Sequence, residues 1–216
     1  MALIDPRIKK QAQVLVEYSL NVKKGENVLI VSDFVGRPLV TELYRLLIRR
    51  GAGEIKLHFD SSELHEIYYK NSTPAQRKLF PQISYDEVKK IDCWIGIICT
   101  TNTRGLTGVD ASIISQQAKI VKSITDWRVE KTRWVLTEFP SSAKAQEADM
   151  SFSDYEDFVF SAINKVNWEK KFKEQEKLRK LVDRVKEVHI VGTGTDLRLG
   201  IAGRKAENAG GTYNMP

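Results

Sequence analysis

The chain is poor in the residues that staples, metal cages and membrane anchors require. It holds two cysteines and three histidines among 216 residues. Cys93 and Cys99 lie in one apolar run, IDCWIGIICT. If that run is a strand, six residues at about 3.3 Å each separate them by about 20 Å, which excludes a disulfide between them. Two free buried thiols suit a reducing compartment. The spacing is not C-x2-C and no histidine is close in sequence, which argues against a cysteine metal site.

The histidines, His58, His65 and His189, are scattered. No H-E-x-x-H is present; the nearest text is Glu63-Leu64-His65-Glu66, with no second histidine one turn later. All three are read as structural. A phosphate-binding loop is also missing. Gly192-Thr193-Gly194-Thr195 is not G-x-G-x-x-G, and no GK[ST] occurs. No apolar run reaches the roughly 20 residues of a bilayer-spanning helix, so no membrane partner is expected. The opening MALIDPRIKKQ lacks a basic segment followed by an apolar one, so no signal peptide is read and a cytoplasmic location is expected.

What is present is an ordinary globular composition, 42% hydrophobic and 29% charged. The net charge is +6, but opposite signs interleave even in the densest stretch, Glu169–Glu187. That is the pattern of a solvated helix face, and no nucleic-acid partner is expected.

Asp5-Pro6 is a cap and first-turn pair, and around it Ile4, Ile8, Leu15, Tyr18 and Val22 recur at helical spacing. Asn27–Val31 is a continuous apolar run, as in a strand buried on both faces. Pro38 opens a helix striped by Leu39, Leu43, Leu46 and Leu47, which Gly51 stops. Strands are then expected over Glu54–Phe59, Ile91–Thr100, Ile120–Ile124 and Arg133–Thr137. Helices are expected over Glu63–Lys70, after Thr73-Pro74 and over Asp110–Ile120. The alternation predicts an α/β fold, a mostly parallel sheet with flanking helices. Beyond Pro140, helices are expected over Ser141–Met150, Ser153–Ile163 and Trp168–Val185. The last should turn Trp168, Phe172, Leu178, Leu181, Val182 and Val185 inward. Val188–Gly192 and Asp196–Ile201 return to strand. The expected division is an amino-terminal α/β domain over 1–185 and the opening strands of a second domain over 186–216.

In an open α/β sheet, ligands gather at the carboxyl ends of the strands. Those positions are Ser32-Asp33, Asp60-Ser61-Ser62 and Thr100-Thr101-Asn102-Thr103-Arg104. Each could line a cleft, and each is also what a helix cap or polar turn requires, which is the reading favoured here. Asp154, Glu156 and Asp157 cluster near a helix start, where the macrodipole favours them. No Ser–His–Asp or Cys–His set is assignable. No residue of the chain is assigned as catalytic, cofactor-binding or metal-ligating.

Two tracts carry a resemblance. One is SITDWRVEKTRWVLTEFPSSAKAQEADMS. The other is GTDLRLGIAGRKAENAGGTYNMP, with Gly194, Thr195, Asp196, Leu197, Gly203, Arg204, Asn214, Met215 and Pro216. Together with KKGENVLIVSD near the start, they resemble the thermophilic-aminopeptidase family of metallopeptidases (the aminopeptidase T, aminopeptidase S and PepS type). The resemblance implies an exopeptidase that removes amino-terminal residues from peptides, and a homodimer enclosing its sites. It also implies two divalent metal ions, zinc or cobalt, that polarise the scissile carbonyl and hold a hydroxide, with a carboxylate as base. In that family the N-M-P pattern leads into a Gly-Glu pair whose glutamate is the first metal ligand, and all ligands lie in the carboxy-terminal domain. The expectation is therefore the amino-terminal portion of such an enzyme, truncated before its ligands and inactive alone. The alternative is a stand-alone α/β module binding a small ligand or nucleotide.

Overall fold

Asp5 and Pro6 open helix α1 (Pro6–Gln13), and the Asp5 carboxylate accepts the Arg7 backbone N–H at 2.8 Å. The structure, a computed structural model, describes residues 5–215; Ile4 and Pro216 of the sequence patterns above lie outside the described residues. The helix widens into a π turn over Val14–Ser19, where the Leu20 N–H reaches back to the Leu15 carbonyl at 3.0 Å. Ile8, Leu15 and Val22 are buried, as the spacing predicts.

The chain then alternates. Strand β1 (Val28–Ser32) leads to α2 (Arg37–Arg49), then β2 (Ile55–Phe59). Helices α3 (Ser62–Asn71), α4 (Pro74–Lys78) and α5 (Gln82–Val88) precede β3 (Cys93–Ile98). Helices α6 (Ala111–Ile120) and α7 (Lys122–Lys131) precede β4 (Arg133–Glu138), and α8 (Ser142–Glu147) and α9 (Phe152–Asn164) follow. Gly51 ends α2 at φ 71°, a conformation glycine adopts without penalty. Leu39, Leu43 and Leu47 of α2 are fully buried, each contributing roughly 2 kcal/mol of transfer free energy.

Among the described residues the four strands form one parallel sheet in the order β2-β1-β3-β4. One face carries Val28, Ile30, Cys93, Ile95, Val135 and Thr137, all without solvent exposure. Here the Gln11 amide donates to Thr137 Oγ1 at 3.0 Å and to the Glu138 carbonyl at 2.9 Å, fixing α1 to the end of β4. On the opposite face Leu29, Val88 and Ile91 form a cluster with Tyr85, Ile124 and Trp127. Residues Tyr213–Met215 lie along the outer edge of β4, where Leu136 and Asn214 form a parallel bridge. The Leu136 N–H donates to the Tyr213 carbonyl and the Met215 N–H to the Leu136 carbonyl, both at 2.8 Å.

Two expectations fail in this unit. Ile120–Ile124 is not a strand: Ile120 closes α6, Val121 is the junction, and Ile124 lies in α7. The branched run Ile-Val reads as β locally, but Ile124 and Trp127 are three residues apart and both join the Leu29 cluster, which requires a helix. Helix α5 was not anticipated; its amino-terminal cap position is Pro81, with no side-chain capping hydrogen bond to announce it.

Contacts divide the chain into two units, residues 1–165 with 212–216, and residues 166–211. The second holds α10 (Trp168–Val182) and the antiparallel hairpin of β5 (Glu187–Gly192) and β6 (Thr195–Gly200). Gly194 makes the hairpin turn at φ 72°. The Asn208 side-chain amide donates to the Phe172 carbonyl at 2.9 Å, and the Ala206 N–H to Asp183 Oδ1 at 2.8 Å. The expected inward stripe of α10 is not buried: Leu178 and Leu181 are 59% and 60% exposed, and no α10 residue is buried. One helix and a two-stranded hairpin offer too little surface to enclose it.

Candidate functional site

The order β2-β1-β3-β4 places a topological switch between β1 and β3, because the chain leaves β1 to one side and later returns to the other. Crevices form at such points, outside the carboxyl ends of the strands. A cavity of 190 Å³ lies there, bordered by Asp33, Asp60, His65 and Thr100 over an apolar floor of Gly96 and Leu136. Gly96 is required by its surroundings. A Cβ there would stand 2.1 Å from the Trp94 ring and 2.8 Å from Leu136 Cδ1.

The strand-end residues fall into three groups. Asp33 caps the short turn Phe34–Gly36 by accepting the Phe34 N–H, and the Ser32 hydroxyl donates to the Asp33 carbonyl at 2.8 Å. Ser61 caps α3, its Oγ accepting the Glu63 N–H at 3.3 Å. Asp60 instead faces His65, with Oδ1 and Nε2 2.9 Å apart. The hydrogen bond from His65 lowers the Asp60 carboxyl below its usual range, and the same bond raises His65. This is the one ion pair at the mouth of the cavity among the described residues.

The Thr100–Arg104 loop is held by helix α8. The Ser141 hydroxyl donates to the Thr100 carbonyl at 2.7 Å. Thr103 donates to Glu147 Oε1 at 2.6 Å, and Arg104 Nε approaches the same oxygen at 3.3 Å. The Thr103 hydrogen bond holds the Glu147 carboxyl low. Asn102, Arg104 and Glu147 border a second, more open hollow of 450 Å³. Asp154, Glu156 and Asp157 are not brought to either hollow. Asp154 joins the Ser151 cap of α9, while Glu156 and Asp157 bind Arg7 at 3.3 and 2.5 Å.

Sequence reasoning passed over an aromatic stack beside the cavity floor. The Arg128 guanidinium lies 4.3 Å from the centre of the Trp94 ring and 5.2 Å from that of Trp134. Tyr213 continues the stack at 5.2 Å from Trp134. Burial lowers the Arg128 pKa. The available signal was the two Trp/Arg pairs, Trp127-Arg128 and Arg133-Trp134, in one of the resembling tracts.

The described residues do not fit a metal. Each histidine has a single carboxylate partner: His58 with Glu87 at 2.7 Å, His65 with Asp60 at 2.9 Å, His189 with Asp196 at 2.7 Å. No group of three or more His, Cys, Asp or Glu side chains that could hold an ion occurs among the described residues. Cys93 and Cys99 are both buried and free, and burial raises both thiols. No helix among the described residues is long and apolar enough to cross a membrane.

A parallel sheet of this order, flanked by helices and continued by Tyr213–Met215, is an α/β fold of the aminopeptidase type. The chain matches the model of the thermophilic metalloprotease (M29) family over residues 4–216 and belongs to that family. It shares its fold with wild-type AmpT from Thermus thermophilus, at a TM-score of 0.75 and 20% identity. That match covers 97% of this chain and 59% of the AmpT chain, so the chain spans well under two thirds of its relative's length. An alcohol dehydrogenase superfamily protein from Novosphingobium aromaticivorans aligns at TM-score 0.32 and 12% identity, over 74% of this chain and 48% of that one. A cysteine desulfurase from Thermococcus onnurineus NA1 aligns at 0.30 and 14%, over 60% and 26%. Scores this low carry no argument. No curated protein matches the chain.

Proposed function

We propose that these residues are the amino-terminal portion of a metal-dependent aminopeptidase that removes amino-terminal residues from peptides. The α/β domain (1–185) borders the peptide cavity, and 186–216 leads into the catalytic domain. The observation that carries this reading is the course of Tyr213–Met215. The segment runs parallel to β4 and so heads toward the carboxyl ends of the strands, where Asp33, Asp60, His65 and Thr100 converge. In the family pattern the residues after N-M-P begin the metal site, so this course would deliver that site to the strand-end cleft. Two divalent ions, zinc or cobalt, would be held by residues outside 1–216. The active assembly is a cytoplasmic homodimer.

The test is direct. Purified 1–216 should leave an amino-acid p-nitroanilide uncleaved and bind neither zinc nor cobalt stoichiometrically. A longer polypeptide that includes the sequence following Pro216 should cleave it and lose activity to a chelator. Cleavage by the 216-residue chain would defeat the proposal. A second reading, a small-ligand or nucleotide-binding module, draws on the 190 Å³ cavity and its Asp60–His65 pair. A large rise in melting temperature with a nucleotide would favour it.

A further inference from the structure

Strand β2 ends the sheet, and it is unusually open for a strand of a parallel sheet: Lys56, Leu57, His58 and Phe59 are all exposed. The Val28 N–H bonds the Glu54 carbonyl and the Asp60 N–H bonds the Ser32 carbonyl. Alternate residues of a parallel strand bond to one neighbour. Residues 54, 56, 58 and 60 therefore serve β1, and the N–H and C=O groups of Ile55, Leu57 and Phe59 point outward with no strand among the described residues to receive them. Such an edge invites pairing with another strand.

We infer that this edge pairs antiparallel with the β2 edge of a second copy of the chain, about a two-fold axis at His58. The inference rests on the dimer reading above and assigns the seam within it. The argument is self-complementarity, which an isologous interface demands. With His58 opposite its own copy, Leu57 lies opposite Phe59 and Phe59 opposite Leu57, on the face that continues Ile30 and Ser32. Lys56 lies opposite Asp60, twice, on the other face. Each seam thus gains two apolar and two oppositely charged cross-strand pairs. A register centred on Leu57 would instead set Glu54 against Asp60, like against like, and leave Lys56 facing His58. A register centred on Lys56 sets two ammonium groups face to face.

Five residues of edge fall short of the roughly 1,000 Å² that a stable association buries. The surroundings supply more. Phe34 is 72% exposed and packs at a tilt against Phe59 with ring centres 4.1 Å apart. Tyr44 and Ile48 of α2 are also about half exposed, on the helix that covers the same sheet face. An extended peptide would satisfy the main-chain groups equally well; the second copy is preferred because its own Asp60 and Phe59 complement Lys56 and Leu57 in this register.

Sedimentation velocity on the 216-residue chain and three variants decides the matter. The wild type should be dimeric. Lys56→Glu sets one carboxylate against Asp60 on each side of the axis and should weaken the dimer about tenfold. Lys56→Glu with Asp60→Lys should recover most of that loss, and Leu57→Lys should give monomer. Circular dichroism and urea unfolding check that each variant is folded; these side chains are exposed, so the monomer should stand. A dimer whose affinity is unchanged in both Lys56→Glu and Leu57→Lys would overturn the β2 seam while leaving the dimer reading intact. A monomeric wild type would overturn the β2 seam while leaving the dimer reading of the longer polypeptide intact, and binding of extended peptides by that monomer would assign the edge to peptide capture.

Discussion

Leu136 and Asn214 face each other across a parallel bridge, 78 positions apart in sequence, with two hydrogen bonds of 2.8 Å on either side of the contact. Through this bridge a segment of the second resembling tract becomes part of the first sheet. Met215 sits beside it and is 4% exposed.

Met215→Ala should therefore cost about 2 kcal/mol, the low end for a buried methionine because the site lies at the sheet margin. Urea unfolding followed by circular dichroism measures it. An unchanged midpoint would mean that the segment is not seated on β4.

Gly96→Ala should destabilise by roughly 2 kcal/mol, since the added methyl overlaps the Trp94 ring and Leu136. Displacement of Trp94 from beneath Arg128 should also change the native tryptophan emission. A variant of normal stability and emission would show that the floor of the cavity is looser than the contacts require.

The Asp60–His65 pair sets a pH window. Asp60 is held below its ordinary value, so its contribution is present above about pH 4 and is lost as pH falls through the lowered value. His65 is held above 6.5, so its contribution is complete below about pH 6.5 and fades as pH rises through the raised value. Both side chains are about half exposed, and the stability involved is under about 1 kcal/mol. The sharper readout is the titration of the His65 ring by NMR, which should move down toward the ordinary histidine value in Asp60→Asn. No movement would dissociate the two groups.

Cys93 and Cys99 are 0% and 2% exposed, and Arg133 donates to Cys93 Sγ at 3.1 Å. A thiol reagent such as an aromatic disulfide should label neither cysteine in the native protein and both after denaturation. Rapid labelling of either in the native state would contradict the burial.

Much of the fold was legible because local chemistry and burial agree. Asp5-Pro6, the Leu39/Leu43/Leu47 stripe, the apolar run before Asp33 and the Thr73-Pro74 pair each announce their element. Sequence misled where a distant partner decides. Ile120–Ile124 looks like a strand until Tyr85 and Trp127 are placed beside it. The α10 stripe looks buried because nothing in its own periodicity says how much surface is there to meet it. The candidate site was legible only as positions: the strand ends were named, but which acid caps and which meets a histidine depended on whether α3 begins one residue later or earlier. The stack of Arg128 on Trp94 and Trp134 joins a helix to two strands, and the Trp/Arg pairs in the sequence do not say which ring meets which guanidinium.

The return of Tyr213–Met215 to β4 has a consequence for biogenesis. A ribosome delivers β4 some 75 residues before the segment that bridges to its flank, so throughout that interval the sheet's fourth member is an unguarded border. A nascent polypeptide of this design completes its sheet only when translation has carried it past Met215, which places the last step of this unit's folding after the whole of 166–211 has been made.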